Sequence, residues 1–166
     1  LRAGETVLVH GASGSTGLAA VHVARLLGAT VIATGRSDAK LAVVAAQGAH
    51  HVVNSSDLGG LRDAVRAHTD GGRGVDVVFD SVGGELSTAS LRCVRFGARY
   101  LIVGWAATPL VADGGGRRGA PNANVLPTNL IMMKGLDVLG CPAMISAVNE
   151  PSLRVTRQAQ VLAWAA

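Results

Sequence analysis

Residues 6–18 read TVLVHGASGSTGL, and this stretch decides the fold. A short apolar run rich in β-branched residues, Thr6 to Val9, stops abruptly at small residues, and a segment with helical apolar periodicity follows at once. This order predicts a strand, a tight turn and the start of a helix. Glycines at positions 11, 14 and 17 give the pattern G-x-x-G-x-x-G. The pattern is one residue longer than the dinucleotide-binding fingerprint G-x-G-x-x-G, but the same physical reasons apply to its glycines.

Each glycine of this turn has its own predicted role. Gly11 can adopt backbone angles that a Cβ would forbid, Gly14 lets the backbone approach a pyrophosphate, and Gly17 lets the helix lie close to the strand. Exposed N–H groups at the positive end of the helix dipole then form an anion site, to which neighbouring hydroxyls add donors. These groups belong to Ser13, Gly14, Ser15, Thr16 and Gly17. The alternative is a strand-to-helix turn that binds no ligand.

Strand-like and helix-like segments alternate along the rest of the chain. The alternation predicts a doubly wound parallel sheet of the Rossmann type, an α/β fold with helices on both faces. We expect about six strands in the order 3-2-1-4-5-6. After the first strand, the predicted strands are residues 30–34, 51–54, 75–80, 99–103 and 136–140.

The helical segments allow more detailed expectations. Ala20, Val23, Ala24 and Leu27 have the spacing of one buried helix face. Residues 55–57, Ser-Ser-Asp, are predicted to cap the third helix. A last helix is predicted from Leu153 to Trp164.

The composition restricts the class of protein. The chain has 166 residues, 49% of them hydrophobic and 16% charged, which fits one globular domain over residues 1–166 and excludes a disordered chain. No apolar run reaches the roughly 18 residues of a membrane span, and no signal segment is expected at the start. The two cysteines have neither a disulfide framework nor a metal-ligand spacing, so we expect a cytoplasmic protein without a metal site.

The net charge of +4 does not by itself indicate a nucleic-acid partner. The basic residues are scattered, and aromatic residues, which would stack on bases, make up only 3% of the chain. The glycine- and arginine-rich run at residues 114–119 predicts a solvated loop.

The end of the second predicted strand indicates which dinucleotide fits. NAD-specific folds place an acidic residue there, about 20 residues after the glycines, to hold the ribose hydroxyls. This chain has Arg36 at that point, followed by Ser37 and, one turn later, Lys40. A guanidinium, a hydroxyl and an ammonium group attract a 2′-phosphate, so the sequence predicts NADP(H). The alternative is that Arg36 is only a solvent-facing charge.

Ligands of doubly wound sheets lie beyond the carboxyl ends of the strands. Beyond the glycine turn, the residues expected near the adenine half of a dinucleotide are Gly35, His50 and Asn54. Those expected near the ribose–nicotinamide half are Ser81, Val82, Gly104 and Trp105. The alternative is that each of these strand-end positions is an ordinary turn residue. His10 is expected to be a hydrogen-bonded strand-end residue. The chain contains no recognisable catalytic triad or metal motif, so no catalytic residue is assigned.

Four stretches, taken in order, resemble a known family. They are residues 9–17 (VHGASGSTG), 48–54 (GAHHVVN), 75–84 (VDVVFDSVGG) and 127–135 (PTNLIMMKG). Together they look like the cofactor domain of the NADPH:quinone oxidoreductases, zinc-independent medium-chain dehydrogenases that include zeta-crystallin. The resemblance covers nearly the whole chain. It departs from the family at Ser15 and Thr16, where the family usually has Gly-Val.

The resemblance implies a site and an assembly. It implies that residues 13–16, Gly35, His50 and Gly104 line the cofactor site, and that the sixth strand pairs with its copy in a homodimer. It also implies that the family's amino-terminal GroES-like domain, which supplies much of the substrate cleft, is absent from this chain. Because the chain begins at Leu1, shortly before the first strand, we expect it to be a fragment of a larger enzyme.

The family suggests an oxidoreductase that passes a hydride from NADPH to a small-molecule electron acceptor, a quinone or a conjugated enone. The fragment alone is expected to bind NADPH and to turn over poorly, since the cofactor carries the chemistry and the protein orients it. One alternative is an enoyl-thioester reductase, including the module of that kind in polyketide synthases. An alternative of another class is a non-catalytic NADPH-binding or RNA-binding protein similar to zeta-crystallin.

Overall fold

Strands and helices alternate along residues 1–107 and 124–165, the parts of the chain that this computed structural model describes. The strands are β1 (Thr6–Val9), β2 (Thr30–Gly35), β3 (His51–Asn54), β4 (Val75–Asp80), β5 (Val94–Ile102) and β6 (Asp137–Gly140). The α-helices are α1 (Ser15–Leu26), α2 (Asp38–Ala46), α3 (Leu61–Arg66), α4 (Glu85–Ser90), α5 (Thr128–Lys134), α6 (Ala143–Asn149) and α7 (Pro151–Ala165). The glycine- and arginine-rich run at residues 114–119 lies outside the described residues.

The six strands form one parallel sheet in the order β3-β2-β1-β4-β5-β6, which confirms the predicted Rossmann topology. β1 lies between β2 and β4, so the chain leaves the centre of the sheet in both directions. The carboxyl ends of β1 and β4 therefore border the point where the strand order reverses, the usual ligand crevice of such sheets.

Both faces of the sheet are covered, as the unbroken apolar strands require. Alternate residues point to opposite faces, so Leu8, Ile32 and Val78 pack in one hydrophobic cluster, while Val9 and Val31 pack in the other. Helix α3 contributes to the first cluster and helices α1 and α2 to the second.

The buried face of α1 agrees only in part with the predicted one. Ala24 is buried and Ala20 packs against the core as predicted, but Leu27 is exposed, and the other buried residues of the helix are Gly17 and Val21. A Cβ built on Gly17 would lie 2.2 Å from the carbonyl oxygen of Gly11. Because the helix approaches β1 most closely at this glycine, the face that carries Gly17 is the one turned to the sheet.

Several element boundaries also differ from those predicted. Helix α3 begins at Leu61, because the Asp57 carboxylate accepts the Gly59 N–H at 2.9 Å in a separate turn and two poor helix formers, Gly59 and Gly60, follow. The predicted last helix, Leu153 to Trp164, lies within α7, which begins two residues earlier at Pro151, and the unpredicted short helix α6 precedes it. Strand β5 begins earlier than predicted, at Val94, with a break in its register against β4.

Candidate functional site

The turn between β1 and α1 has the geometry that its glycines predict. Gly11 has a φ of +62°, a left-handed conformation that favours glycine. Its carbonyl oxygen accepts the Gly14 N–H at 3.0 Å, which closes the turn. The close contact of Gly17 with Gly11 then brings the first turn of α1 directly over the end of β1. The predicted roles of Gly11 and Gly17 are confirmed.

The amino-terminal end of α1 offers free hydrogen-bond donors. Within residues 1–107 and 124–165, no acceptor faces the backbone N–H groups of Ser15, Thr16 and Gly17. The side chains of Ser13, Ser15 and Thr16 are exposed, and the first turn of the helix contains no acidic residue. These donors and the helix dipole make this end a site for an anion.

Gly14 leaves space above this end of the helix. Among the described residues, a Cβ built on it would meet only the Gly11 carbonyl oxygen, at 3.4 Å, so these residues leave open the space that the side chain of another residue would fill. A phosphate group can therefore approach the backbone there. Residues 13–17 thus form a phosphate cradle that fits the pyrophosphate of a dinucleotide.

The end of β2 lies beside this cradle. A Cβ on Gly35 would lie 4.0 Å from the Ser13 hydroxyl oxygen, so the two turns are in contact. Arg36 follows with an exposed side chain, and Lys40 is exposed in the first turn of α2. The Ser37 hydroxyl oxygen accepts the Lys40 N–H at 3.4 Å and caps that helix. Exposed positive charge and the start of α2 thus stand next to the glycine turn.

Asn54 lies at the end of β3 beside these residues and binds the carboxylate of Asp38, a residue that the sequence analysis did not assign to the site. Its side-chain N–H donates to the Asp38 carboxylate at 2.6 Å, and its side-chain oxygen accepts the Ser56 N–H at 2.9 Å. The Ser56 hydroxyl donates in turn to the Arg36 carbonyl oxygen at 3.3 Å. Asp38 puts a negative charge two residues from Arg36; its place directly after a helix-capping serine could have drawn attention to it.

The ends of β4 and β5 border the other side of the glycine turn. The Ser81 hydroxyl donates to the His10 carbonyl oxygen at 3.3 Å. A Val82 methyl lies 3.0 Å from the place where a Cβ on Gly11 would be, and a Cβ on Gly104 would be 3.0 Å from the Ser81 carbonyl oxygen. Trp105 packs its backbone against Gly83 and is half-exposed. The four predicted residues of this half therefore do come together.

His50 does not join the other predicted residues. The ring Nδ1 of His50 accepts the Val31 backbone N–H at 2.9 Å, and the backbone N–H of His50 donates to the Val31 carbonyl oxygen at 3.0 Å. Val31 stands near the beginning of β2, four residues before Gly35, which is roughly 13 Å along a strand. The expectation that His50 borders the adenine is therefore corrected: it closes the amino-terminal edge of the sheet.

A buried polar network lies beneath the site. His10 is fully buried, with Nδ1 2.7 Å from the Thr34 hydroxyl and Nε2 2.6 Å from the Ser90 hydroxyl, as expected of a hydrogen-bonded strand-end residue. Burial lowers the pKa of His10 to about 4, against a weaker opposing effect of Asp80. The ring is therefore neutral at pH 7 and serves the fold.

Asp80, the last residue of β4, is the centre of this network, and sequence reasoning did not single it out. Its carboxylate accepts the N–H groups of Val82 and Gly83 at 2.9 and 3.0 Å, the Tyr100 hydroxyl at 2.7 Å and the Ser87 hydroxyl. Burial alone would raise the pKa of Asp80, but the nearby His10 ring and these hydrogen bonds hold it below its usual value. An acid at the end of an apolar strand was the available signal, since a buried charge needs partners.

Two features of other protein classes are absent from residues 1–107 and 124–165, the described part of the chain. These residues hold no group of three or more His, Cys, Asp or Glu side chains that could bind a metal ion. None of their helices is both long and apolar enough to cross a membrane.

Comparisons with known proteins agree with this geometry. The family model described as "Zinc-binding dehydrogenase" matches residues 15–153. "Quinone oxidoreductase-like protein 2" of Mus musculus is 38% identical over 141 residues, which are 84% of this chain and 36% of that protein. The chain thus spans well under half the length of this relative.

Two solved structures share the fold. The quinone oxidoreductase from Thermus thermophilus, described together with its complex with NADPH, is 30% identical with a TM-score of 0.69; the match covers 96% of this chain and 43% of that one. The nucleotide-binding subdomain of the enoylreductase domain of PpsC from Mycobacterium tuberculosis is 26% identical with a TM-score of 0.76, over 98% and 82% of the two chains. The chain belongs to the zinc-binding dehydrogenase family, and its resemblance to the quinone oxidoreductases, predicted from four sequence motifs, is confirmed.

Proposed function

We propose that this chain binds NADP(H) and serves as the cofactor domain of a reductase. The observation that carries the proposal is the start of α1, where three backbone N–H groups face no acceptor in the described residues, next to an open glycine turn and the exposed Arg36. A family of oxidoreductases and a solved relative described in complex with NADPH support it.

The proposed site has three parts. Residues 13–17 hold the pyrophosphate through backbone N–H groups and hydroxyls. The adenosine with its 2′-phosphate lies against Gly35, Arg36, Ser37, Lys40 and Asn54. The ribose and nicotinamide lie against Ser81, Val82, Gly104 and Trp105. These three groups of residues adjoin one another along the carboxyl edge of the sheet.

When bound, NADPH supplies a hydride, a proton with two electrons, which reduces a quinone or a conjugated enone while the cofactor is oxidised to NADP⁺ and solvent supplies the balancing proton. The residues of this chain bind and orient, and we assign none of them to proton transfer. The acceptor would bind against a further domain of the whole protein, as the much greater length of the relatives suggests. This chain alone is therefore expected to bind NADPH but to reduce acceptors poorly.

The preference for NADPH rests on two opposing charges. Arg36 attracts a 2′-phosphate, whereas Asp38 repels it and would favour the free ribose hydroxyls of NADH. The carboxylate of Asp38 accepts a hydrogen bond from the Asn54 side chain, and this bond holds the carboxylate in its observed position. We propose that the exposed guanidinium dominates.

Calorimetric titration of matched variants tests this preference. A charge-assisted hydrogen bond is worth ~1.5–3 kcal/mol, so Arg36→Ala should weaken NADPH binding by roughly 10- to 150-fold and leave NADH binding nearly unchanged. Asp38→Asn removes a like charge from the same turn and should strengthen NADPH binding by up to about fivefold. Equal losses of both cofactors in Arg36→Ala would refute the assignment.

A second candidate function is the reduction of an enoyl thioester. The match to the PpsC nucleotide-binding subdomain, which covers 98% of this chain, favours it. Because both reactions use the same cofactor site, the acceptor must be identified with the whole protein. NADPH consumption against a panel of quinones and enoyl thioesters separates the two candidates.

We also propose a homodimer and a cytoplasmic location. Strand β6 is the last strand of the sheet, with Leu139 exposed, so a second copy could extend the sheet there. Sedimentation of the wild type and of Leu139→Lys tests the dimer. A wild-type monomer, or a variant dimer as tight as the wild type, would contradict it.

A further inference from the structure

The buried carboxylate of Asp80 holds the turn that follows β4, residues 81–83, by hydrogen bonds. Asp80 is 1% exposed, and each of its two carboxylate oxygens accepts hydrogen bonds from a different pair of groups. Oδ1 accepts the N–H groups of Val82 and Gly83, at 2.9 and 3.0 Å. Oδ2 accepts the hydroxyls of Tyr100, at 2.7 Å, and of Ser87. One oxygen thus fixes the turn and the other ties it to β5 and α4.

This turn is wedged between the glycine turn and the end of β5. Val82 lies against Gly11, and the Ser81 carbonyl oxygen lies against Gly104. Gly83, with a φ of +79°, has no room for a Cβ, which would lie 2.8 Å from the Trp105 Cα. A shift of the turn by even about 1 Å would therefore displace the surface that Gly104 and Trp105 form beside it.

We propose that Asp80 is a positioning residue, whose carboxylate sets the turn of residues 81–83 so that it presents the surface on which the nicotinamide half of the dinucleotide rests. This inference rests on the proposed function and deepens it, because it assigns a role to a residue that no cofactor atom touches. The adenine half lies on the other side of the glycine turn, beyond β2, and does not depend on this carboxylate.

Two probes separate positioning from general support of the fold. NADPH contacts all three parts of the proposed site, whereas adenosine 2′,5′-bisphosphate contacts the adenosine part and the phosphate cradle but not the nicotinamide half. Asp80→Asn keeps the size of the side chain and one neutral oxygen that can accept the Val82 and Gly83 N–H groups, but it replaces Oδ2 by an NH2 group that must donate to the hydroxyls instead of accepting from them. We expect it to weaken NADPH binding by about tenfold and the bisphosphate by less than twofold.

Tyr100→Phe is the matched control. It removes one donor to Oδ2 and leaves both N–H bonds to Oδ1, so NADPH binding should fall by less than about threefold. A parallel loss of both probes in Asp80→Asn would show a purely structural role and overturn the inference. Unchanged binding of both probes would overturn it as well.

A measurement on the wild type covers the case in which Asp80→Asn fails to fold. The Val82 and Gly83 N–H groups should exchange with solvent hydrogen slowly in the free protein, because the carboxylate holds them before any ligand arrives. Exchange as fast as that of the exposed Gly71 N–H would overturn the inference. If the wild type binds neither probe, the proposed function fails on its own, whatever the exchange rates are.

Discussion

Adding one methyl group at Gly17 should lower the stability of the fold, whereas adding one at Gly14 should weaken NADPH binding with little change in stability. At Gly17 a Cβ would stand 2.2 Å from the Gly11 carbonyl oxygen and 2.7 Å from the Ala12 Cα. Both are backbone atoms that cannot rotate aside, so helix α1 would have to move away from β1 by about 1 Å. Overpacking of this kind costs ~1–3 kcal/mol, and we expect the upper end for a clash with backbone.

The magnitude follows from two terms. Ala stabilises a helix by up to ~1 kcal/mol relative to Gly, and this gain partly offsets the overpacking cost of ~3 kcal/mol. Gly17→Ala should therefore lower the free energy of unfolding by a net of about 2 kcal/mol. With a urea dependence of roughly 2 kcal/mol per molar, the unfolding midpoint should fall by about 1 M. NADPH binding should fall too, because the first turn of α1 moves with the helix.

Gly14→Ala is the matched control. Its φ of −82° suits any residue, and within the part of the chain that the structure describes the added Cβ would meet only the Gly11 carbonyl oxygen, at 3.4 Å. The urea midpoint should change little, whereas the methyl group fills the space proposed for the pyrophosphate and should weaken NADPH binding at least about tenfold. An unchanged midpoint in Gly17→Ala would refute the close contact of helix and strand. Full NADPH affinity in Gly14→Ala would refute the phosphate cradle.

Two further predictions concern buried titratable groups. The pKa of His10 is about 4 in the folded chain, against ~6.5 in the unfolded chain. Between these two pH values the unfolded chain therefore binds more protons than the folded chain. The free energy of unfolding should consequently fall by about 3 kcal/mol as the pH drops from 6.5 to 4. His10→Gln should lose most of this dependence in urea unfolding at several pH values, and equal slopes would contradict it. Burial raises the pKa of Cys93 to about 12, while Cys141 is only half-buried, so iodoacetamide at pH 8 should alkylate Cys141 in the folded chain and both cysteines in urea. Mass spectrometry showing early labelling of Cys93 would contradict its burial.

The fold was predictable because its signals are local. A β-branched run followed by spaced glycines predicts β1, the turn and α1, and the alternation along the chain predicts the parallel sheet, which the structure confirms. The face that α1 buries was not predictable from apolar spacing alone. It depends on how closely the helix approaches β1 at Gly17, and a glycine contributes nothing to an apolar pattern.

The candidate site was predictable where it lies next to the glycine turn and less so elsewhere. Residues at the carboxyl ends of β2 and β4 come together because parallel strands end at one edge. His50 was misplaced because it precedes β3 and so lies at the opposite edge. Asp80 was missed because one of its partners, Tyr100, is 20 residues away and reaches the carboxylate only through the pairing of β4 with β5.

We propose that the start of α1 and the turn at Arg36 hold an NADP(H) tail, and the backbone N–H resonances recorded during titration of this chain with NADPH test this proposal. We expect saturable shifts at Ser15, Thr16 and Gly17, accompanied by shifts at Arg36 and Ser37. Titration without shifts at these positions, or with shifts confined to another part of the chain, would contradict it.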